Sequence, residues 1–200
     1  MRIGSLRSAS GTNEAFSSTA LRAHAKSFGL ILLFTALTAA AGQVRVPLPF
    51  TPVPLTLQVI PVLLAGAALG GVRGAASQAA LLAAGVAGLP VFAAGAFGPA
   101  HLLGATGGYL IGFVGAAWFV GRLLEAMGRA SFLAVFAVML SGSLLIHVFG
   151  MVHLMVFLGG DMPLAFRLGS LPFLIGDLLK VIVAGSIVMA WPRNAANHDD

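Results

Sequence analysis

The chain has no cysteine among its 200 residues, which excludes disulfide frameworks and thiolate metal sites. Charge is almost as scarce, with Asp, Glu, Lys and Arg together making up 8% of the residues. The lysines are Lys26 and Lys180, and neither stands in a Gly-x-x-x-x-Gly-Lys-Ser/Thr phosphate loop. The chain is therefore not an ATPase of that type. A Gly-x-Ser-x-Gly nucleophile elbow is also missing. What remains is apolar: 58% of residues are hydrophobic, 26 are glycine, and the mean hydropathy is +0.99. A soluble domain of this length cannot bury so much apolar surface, so the composition indicates an all-α, polytopic membrane protein. The net charge of +5 does not point to nucleic acid, because the basic residues are scattered and read better as topology signals.

Six apolar runs organise the chain: Phe28 to Ala41, Thr56 to Gly71, Gly74 to Leu89, Leu103 to Leu124, Phe132 to Leu158, and Phe173 to Trp191. They predict a six-helix membrane domain over residues 27–192, between a disordered or interfacial tail at 1–26 and a short tail at 193–200. The first run is short and ends in Ala39-Ala40-Ala41, a pattern shared with signal-peptide cleavage sites. A retained helix is nevertheless expected. With the amino-terminal tail in the cytoplasm, Arg2, Arg7, Arg22, Lys26, Arg73, Arg122, Arg129 and Arg193 all fall on that side. Only Arg45 and Arg167 fall outside. This bias places both chain ends in the cytoplasm of a multi-pass protein of the cytoplasmic membrane.

The most informative residues lie in the last run. Asp177 and Lys180 are three apart, so on a helix they share a face. Each charge at the centre of a membrane helix costs about 2.5–3.5 kcal/mol on insertion scales, which only a bundle interior or a polar cavity makes tolerable. Two readings follow: a structural ion pair between packed helices, or a site that offers one acceptor and one cation to a ligand.

Two loops favour the second reading. Gln43 to Pro54 carries four prolines, which forbid helix and favour extended backbone. Pro90 to His101 is aromatic, glycine-rich and without formal charge. Both are apolar and both fall on the outer side in this topology. Irregular backbone at membrane depth persists only where it is buried or lines a cavity. The pair thus reads as two lids over an outward pocket floored by Asp177 and Lys180, suited to a small, mostly apolar carboxylate.

Small residues recur at every fourth position in Gly104, Gly108, Gly112 and Ala116, in Gly66 and Gly70, and in Ala36 and Ala40. Such faces allow close helix approach, within the chain or against another protein. Ser141, Ser143, His147 and His153 raise the alternative of an intramembrane hydrolase. Their spacing forms no triad, and they read as polar residues bridging helices or lining the cavity. His147 and His153 lie on different faces of a helix, so no metal site is expected.

Four stretches together resemble one family. They are Pro52-Val53-Pro54-Leu55-Thr56-Leu57-Gln58; Leu64-Ala65-Gly66 through Leu69-Gly70 to Gly88-Leu89-Pro90-Val91-Phe92; Gly104-Ala105-Thr106-Gly107-Gly108-Tyr109-Leu110; and Gly176-Asp177-Leu178-Leu179-Lys180. In this order they are similar to the BioY family, the biotin-specific substrate-binding components of energy-coupling-factor (ECF) transporters, over roughly residues 28–191. The resemblance implies a non-enzymatic, six-helix subunit that captures biotin without a cofactor. It implies ligand contacts from Asp177 and Lys180, apolar walls from Phe92 and Tyr109, and further polar contacts from Gln58 and Thr56. It also implies that Ala36 and Ala40 face a coupling transmembrane subunit, itself driven by paired ATPases, and this is the ground for retaining the first helix. A component for another vitamin is the nearest alternative. The chain departs from some relatives in lacking an asparagine within Ala93-Ala94-Gly95, and from many in having Ala105 where proline is frequent.

Overall fold

In the computed structural model, residues 8–128 and 130–191 are described. The tail at 193–200 and, among the orienting basic residues, Arg2, Arg7, Arg129 and Arg193 lie outside the described residues. Helix α1 runs from Ser8 to Gln43, well ahead of Phe28. Residues 8–26, expected as part of a disordered or interfacial tail, continue the helix, while 1–7 lie outside the described residues. No proline precedes Pro47, so nothing stops a helix seeded on the apolar run from extending backward.

The proline-rich loop is extended as expected but is also tied into a ladder. Strand β1 (Arg45–Val46) pairs antiparallel with β2 (Leu55–Thr56), Arg45 opposite Thr56 and Val46 opposite Leu55. Helix α2 (Val59–Leu69) and helix α3 (Gly71–Val86) are joined at Gly70, whose φ of 80° lies in the left-handed region that favours glycine. Glu125 closes this junction, its Oε1 accepting from the Gly71 amide at 3.0 Å at the positive end of α3.

The second loop contains a 3₁₀ turn (Ala93–Gly95) and a one-turn helix, α4 (Pro99–Leu103), that the sequence reading assigned to loop and span. Pro99 stands in the first turn, where its missing N–H costs nothing. Extended backbone at Gly104 then separates α4 from α5 (Gly107–Met127). The fourth apolar run is thus a break followed by a helix rather than one continuous span. Helix α6 (Phe132–Phe157) starts at Ser131, which caps it by accepting from the Ala134 amide. Helix α7 (Met162–Gly169) is capped in the same way by Asp161 and bends 54° into α8 (Leu174–Ala190).

Six crossing helices were expected. Among the described residues, three segments are long and apolar enough to cross a membrane: Leu21–Gln43, Gly107–Met127 and Phe132–Phe157. The bent α7–α8 pair raises the number to four, and the 11-residue α2 is a shorter apolar helix. Helix α5 is the hub, packed on α2, α3 and α6. Its small-residue face explains the closeness. A Cβ on Gly108 would strike His153 and the Phe149 carbonyl, and one on Gly112 would come 3.1 Å from Ile146 Cα. On the other side, a Cβ on Gly66 of α2 would meet the Ala117 carbonyl. These faces are internal. Ala36 and Ala40 of α1 are exposed instead, while Phe34 and Thr38 on the same helix turn inward.

Candidate functional site

The loop-rich end of the bundle encloses a chamber of about 60 Å³. Val53, Pro54 and Thr56 come from the proline-rich loop, and Ala93 and His101 from the second loop. The helices contribute Gln58 and Val59, Tyr109 and Phe113, His147, and Asp177 with Lys180. The two loops therefore meet over one hollow, as the sequence suggested. A wider chamber of about 400 Å³ lies against it and shares Pro54, Ala93, His101 and Thr106 with the first. The exposed side chain of Arg45 stands in its wall.

Asp177 anchors the inner chamber. It occupies the first turn of α8, where the unpaired amides of a helix N-terminus favour a carboxylate. Lys180, one turn on, reaches back so that Nζ donates to Oδ1 at 2.6 Å. Both residues are buried, at 6% and 7% exposure, yet both line the cavity. The second carboxylate oxygen, Oδ2, is 2.8 Å from His147 Nε2 on α6. A carboxylate paired with an ammonium only accepts, so Nε2 carries the proton here and Nδ1 is left to act separately. Nδ1 is buried without a partner among the described residues.

Tyr109 presents its ring edge to His147, with centroids 6.3 Å apart, while its hydroxyl donates to the Gly169 carbonyl at 2.6 Å. The hydroxyl therefore fastens α5 to α7 and leaves the ring as wall. Thr51 Oγ1 similarly donates to the Leu168 carbonyl at 2.7 Å, pinning the first loop to α7. Thr56 donates to Gln58 Oε1 at 3.2 Å, and the buried Gln58 Nε2 lacks a partner among the described residues. Gln58 lines the chamber, and its Nε2 lies in the space that a Cβ on Gly42 of α1 would fill.

Of the residues singled out from sequence, Asp177, Lys180, Tyr109, Gln58 and Thr56 are brought together on one cavity. Phe92 is not in that wall. It is fully buried behind it, in space that a Cβ on Gly85 would fill, and stacks on His101 with centroids 5.2 Å apart. His101, which faces the chamber, takes the position expected of Phe92. Its Nε2 lies 3.2 Å from Thr106 Oγ1, and burial holds its imidazole below the usual histidine range.

His147, read from the sequence as bridging helices or lining the cavity, and His101, read as the end of the second loop, both line the chamber without having been singled out as site residues. Both are histidines in apolar surroundings, and the partner of His147 is 30 residues away. The serines and histidines of α6 do not assemble into a nucleophile and base. Ser141 is exposed and bonds back to the Ala137 carbonyl, and His153 bridges to the Gly104 carbonyl.

Comparison with known proteins places this architecture. A biotin transporter of the BioY type from Pyrococcus horikoshii, named as probable, is 41% identical over 160 residues, covering 80% of this chain and 92% of that relative. The biotin transporter BioY of Thermotoga maritima is 38% identical, covering 78% of this chain and 90% of its own length. A crystal structure of the S-component for biotin from an ECF-type ABC transporter superposes with a TM-score of 0.78 at 27% identity, covering 84% of this chain and 90% of that one. The family model for BioY matches residues 13–197. This chain belongs to the BioY family, a family of transport proteins rather than enzymes.

Proposed function

We propose that this chain is the substrate-capturing subunit of an ECF-type biotin transporter, with biotin held by the Asp177–Lys180 pair. The observation that carries the site assignment is the pair's position: buried, opposite in charge, and facing a hollow rather than lipid. Biotin has one carboxylate, for which the Lys180 ammonium is the natural partner. Its ureido N–H groups are donors suited to the Asp177 carboxylate. Tyr109, Val59 and Phe113 offer apolar surface to the ring and chain, and Gln58 a further polar contact.

The inner chamber is well below the 300–1,000 Å³ typical of ligand pockets. An elongated ligand accordingly runs from the inner chamber into the outer one, past Pro54, Ala93, His101 and Thr106, and the two loops part to admit it. On entry its carboxylate draws Lys180 from Asp177, and the ureido group takes the acceptor so released. Breaking a buried ion pair is costly unless both partners are re-paired at once, which selects ligands carrying both groups.

The chain crosses the cytoplasmic membrane six times, with α2 and α3 as short crossings and α7–α8 as one bent crossing. Support comes from charge: Arg22, Lys26, Arg73 and Arg122 lie away from the loops, whereas Arg45 and Arg167 lie near them. Gln43 at the loop end of α1 bonds the Phe92 carbonyl, and Arg22 sits 21 residues back, roughly 30 Å along a helix. The cavity thereby opens outward and the chain ends stay inside. The exposed Ala36–Ala40 face of α1 docks on the coupling transmembrane subunit, and the ATPase subunits act through it.

Retention of radiolabelled vitamins by the purified protein tests this reading. Stoichiometric biotin, with thiamin and riboflavin left behind, is the expected result. Retention of another vitamin in place of biotin would reassign the substrate.

A further inference from the structure

Resting on the biotin reading, the arrangement of charges around the inner chamber points to a separate role for His147. We infer that His147 takes up a proton from solution when an anionic ligand binds, and so makes the cavity selective for ligands that bring a negative charge.

The argument is one of charge balance. Asp177 and Lys180 cancel each other in the buried chamber. A ligand carboxylate adds one negative charge that nothing in the pair offsets, and an uncompensated charge in a low-dielectric interior is expensive. Arg45 stands in the wall of the outer chamber but is exposed to solvent, so relief within the inner chamber must come from a group there that can become positive. Every element packed on α6 supplies its candidates. Helix α5 presents Tyr109, a phenol whose hydroxyl is committed to Gly169, and carries Arg122 and Glu125 at its far end. Helix α8 presents Asp177 and Lys180, already counted, and helix α2 carries no titratable side chain. The charged residues Asp161 and Arg167 by α7 are exposed. On α6 itself, His153 is turned to the Gly104 carbonyl.

Two imidazoles remain, His101 and His147. His101 already engages Thr106 through Nε2. His147 lines the chamber, is 2.8 Å from Asp177, and has a buried Nδ1 with no partner among the described residues. Protonation at Nδ1 leaves the Nε2–H bond to Asp177 intact and puts the added positive charge on a side chain that lines the chamber. The cavity then holds two positive and two negative groups. A neutral ligand of the same shape creates no such demand.

The test is titration calorimetry of the full-length protein with biotin, at one pH, in buffers of unequal ionisation enthalpy. The wild type is expected to take up protons from the buffer on binding. Its biotin Kd should then tighten by up to about tenfold for each unit of falling pH over the range in which His147 takes up the proton. His147→Gln should bind more weakly, with no uptake and a flat pH profile, whereas His101→Gln should keep the uptake. Biotinamide, which is uncharged, should bind the wild type without uptake, a result that needs no variant to fold. The inference is overturned if the wild type takes up no proton, if biotinamide drives the same uptake, or if uptake persists in His147→Gln. The last outcome would put the proton on the ligand or on His101. No binding of biotin by the wild type would instead remove the biotin reading itself, and this inference with it.

Discussion

At the scale of single residues, the Asp177 carboxylate is the organising group. It receives Lys180 on one oxygen and His147 on the other, so truncating either α8 partner strands a buried charge. Lys180→Ala and Asp177→Ala should each abolish high-affinity biotin binding while membrane insertion persists. Equilibrium binding on membranes with matched protein content checks this, and wild-type affinity in either variant contradicts the assignment. Tyr109→Phe separates two roles of one side chain. It keeps the ring at the chamber and deletes the hydroxyl bond to Gly169. Stability should fall by about 1 kcal/mol, read from thermal unfolding, with biotin affinity changed far less. Asp177 and Lys180 were legible in the sequence because a charge inside an apolar run needs a reason. His147 was not, because one histidine on an apolar helix is equally at home bridging two helices, as His153 does.

At the scale of elements, the helices were legible to within a few residues where a long apolar run made them. The short ones were not. Helices α4 and α7 sit in glycine-rich connections and are fixed by contacts distant in sequence, such as Thr51 to Leu168 and Tyr109 to Gly169. The local cues were slight: Asp161-Met162-Pro163 gives α7 a capping residue followed by a proline in the first turn, and Pro99 gives α4 a first-turn proline. The small-residue spacing on α5 was informative, since Gly108 and Gly112 are where α6 comes closest. Gly108→Val should overpack that contact and destabilise the protein by about 1–3 kcal/mol, seen as a lower unfolding temperature in detergent. The loops make a different prediction. Cysteines replacing Pro54 or Ala93, both at the boundary of the two chambers, should be labelled by an impermeant thiol reagent and protected by saturating biotin. Labelling unaffected by biotin would argue against loops that close over the ligand. Phe92, fully buried behind the wall, is the wrong position for such a probe.

At the scale of the whole molecule, one end of the bundle holds the chemistry and one flank of α1 is left open. Ala36→Leu and Ala40→Leu should leave biotin binding by the isolated chain unchanged and reduce its co-purification with the coupling subunit, along with uptake in cells. The composition made the membrane class legible. The length of α2 was not readable, because apolar residues that fold over a cavity look, in sequence, like continuations of the helix beside them; α3 has the expected 16 residues but starts three earlier, at Gly71. The most direct test is a structure of the full chain with biotin bound. The expected result is the biotin carboxylate within hydrogen-bond distance of Lys180 Nζ and the ureido N–H groups on Asp177, with the direct Lys180–Asp177 bond exchanged for bonds to the ligand. Biotin bound elsewhere, with that ion pair unbroken, would contradict the account.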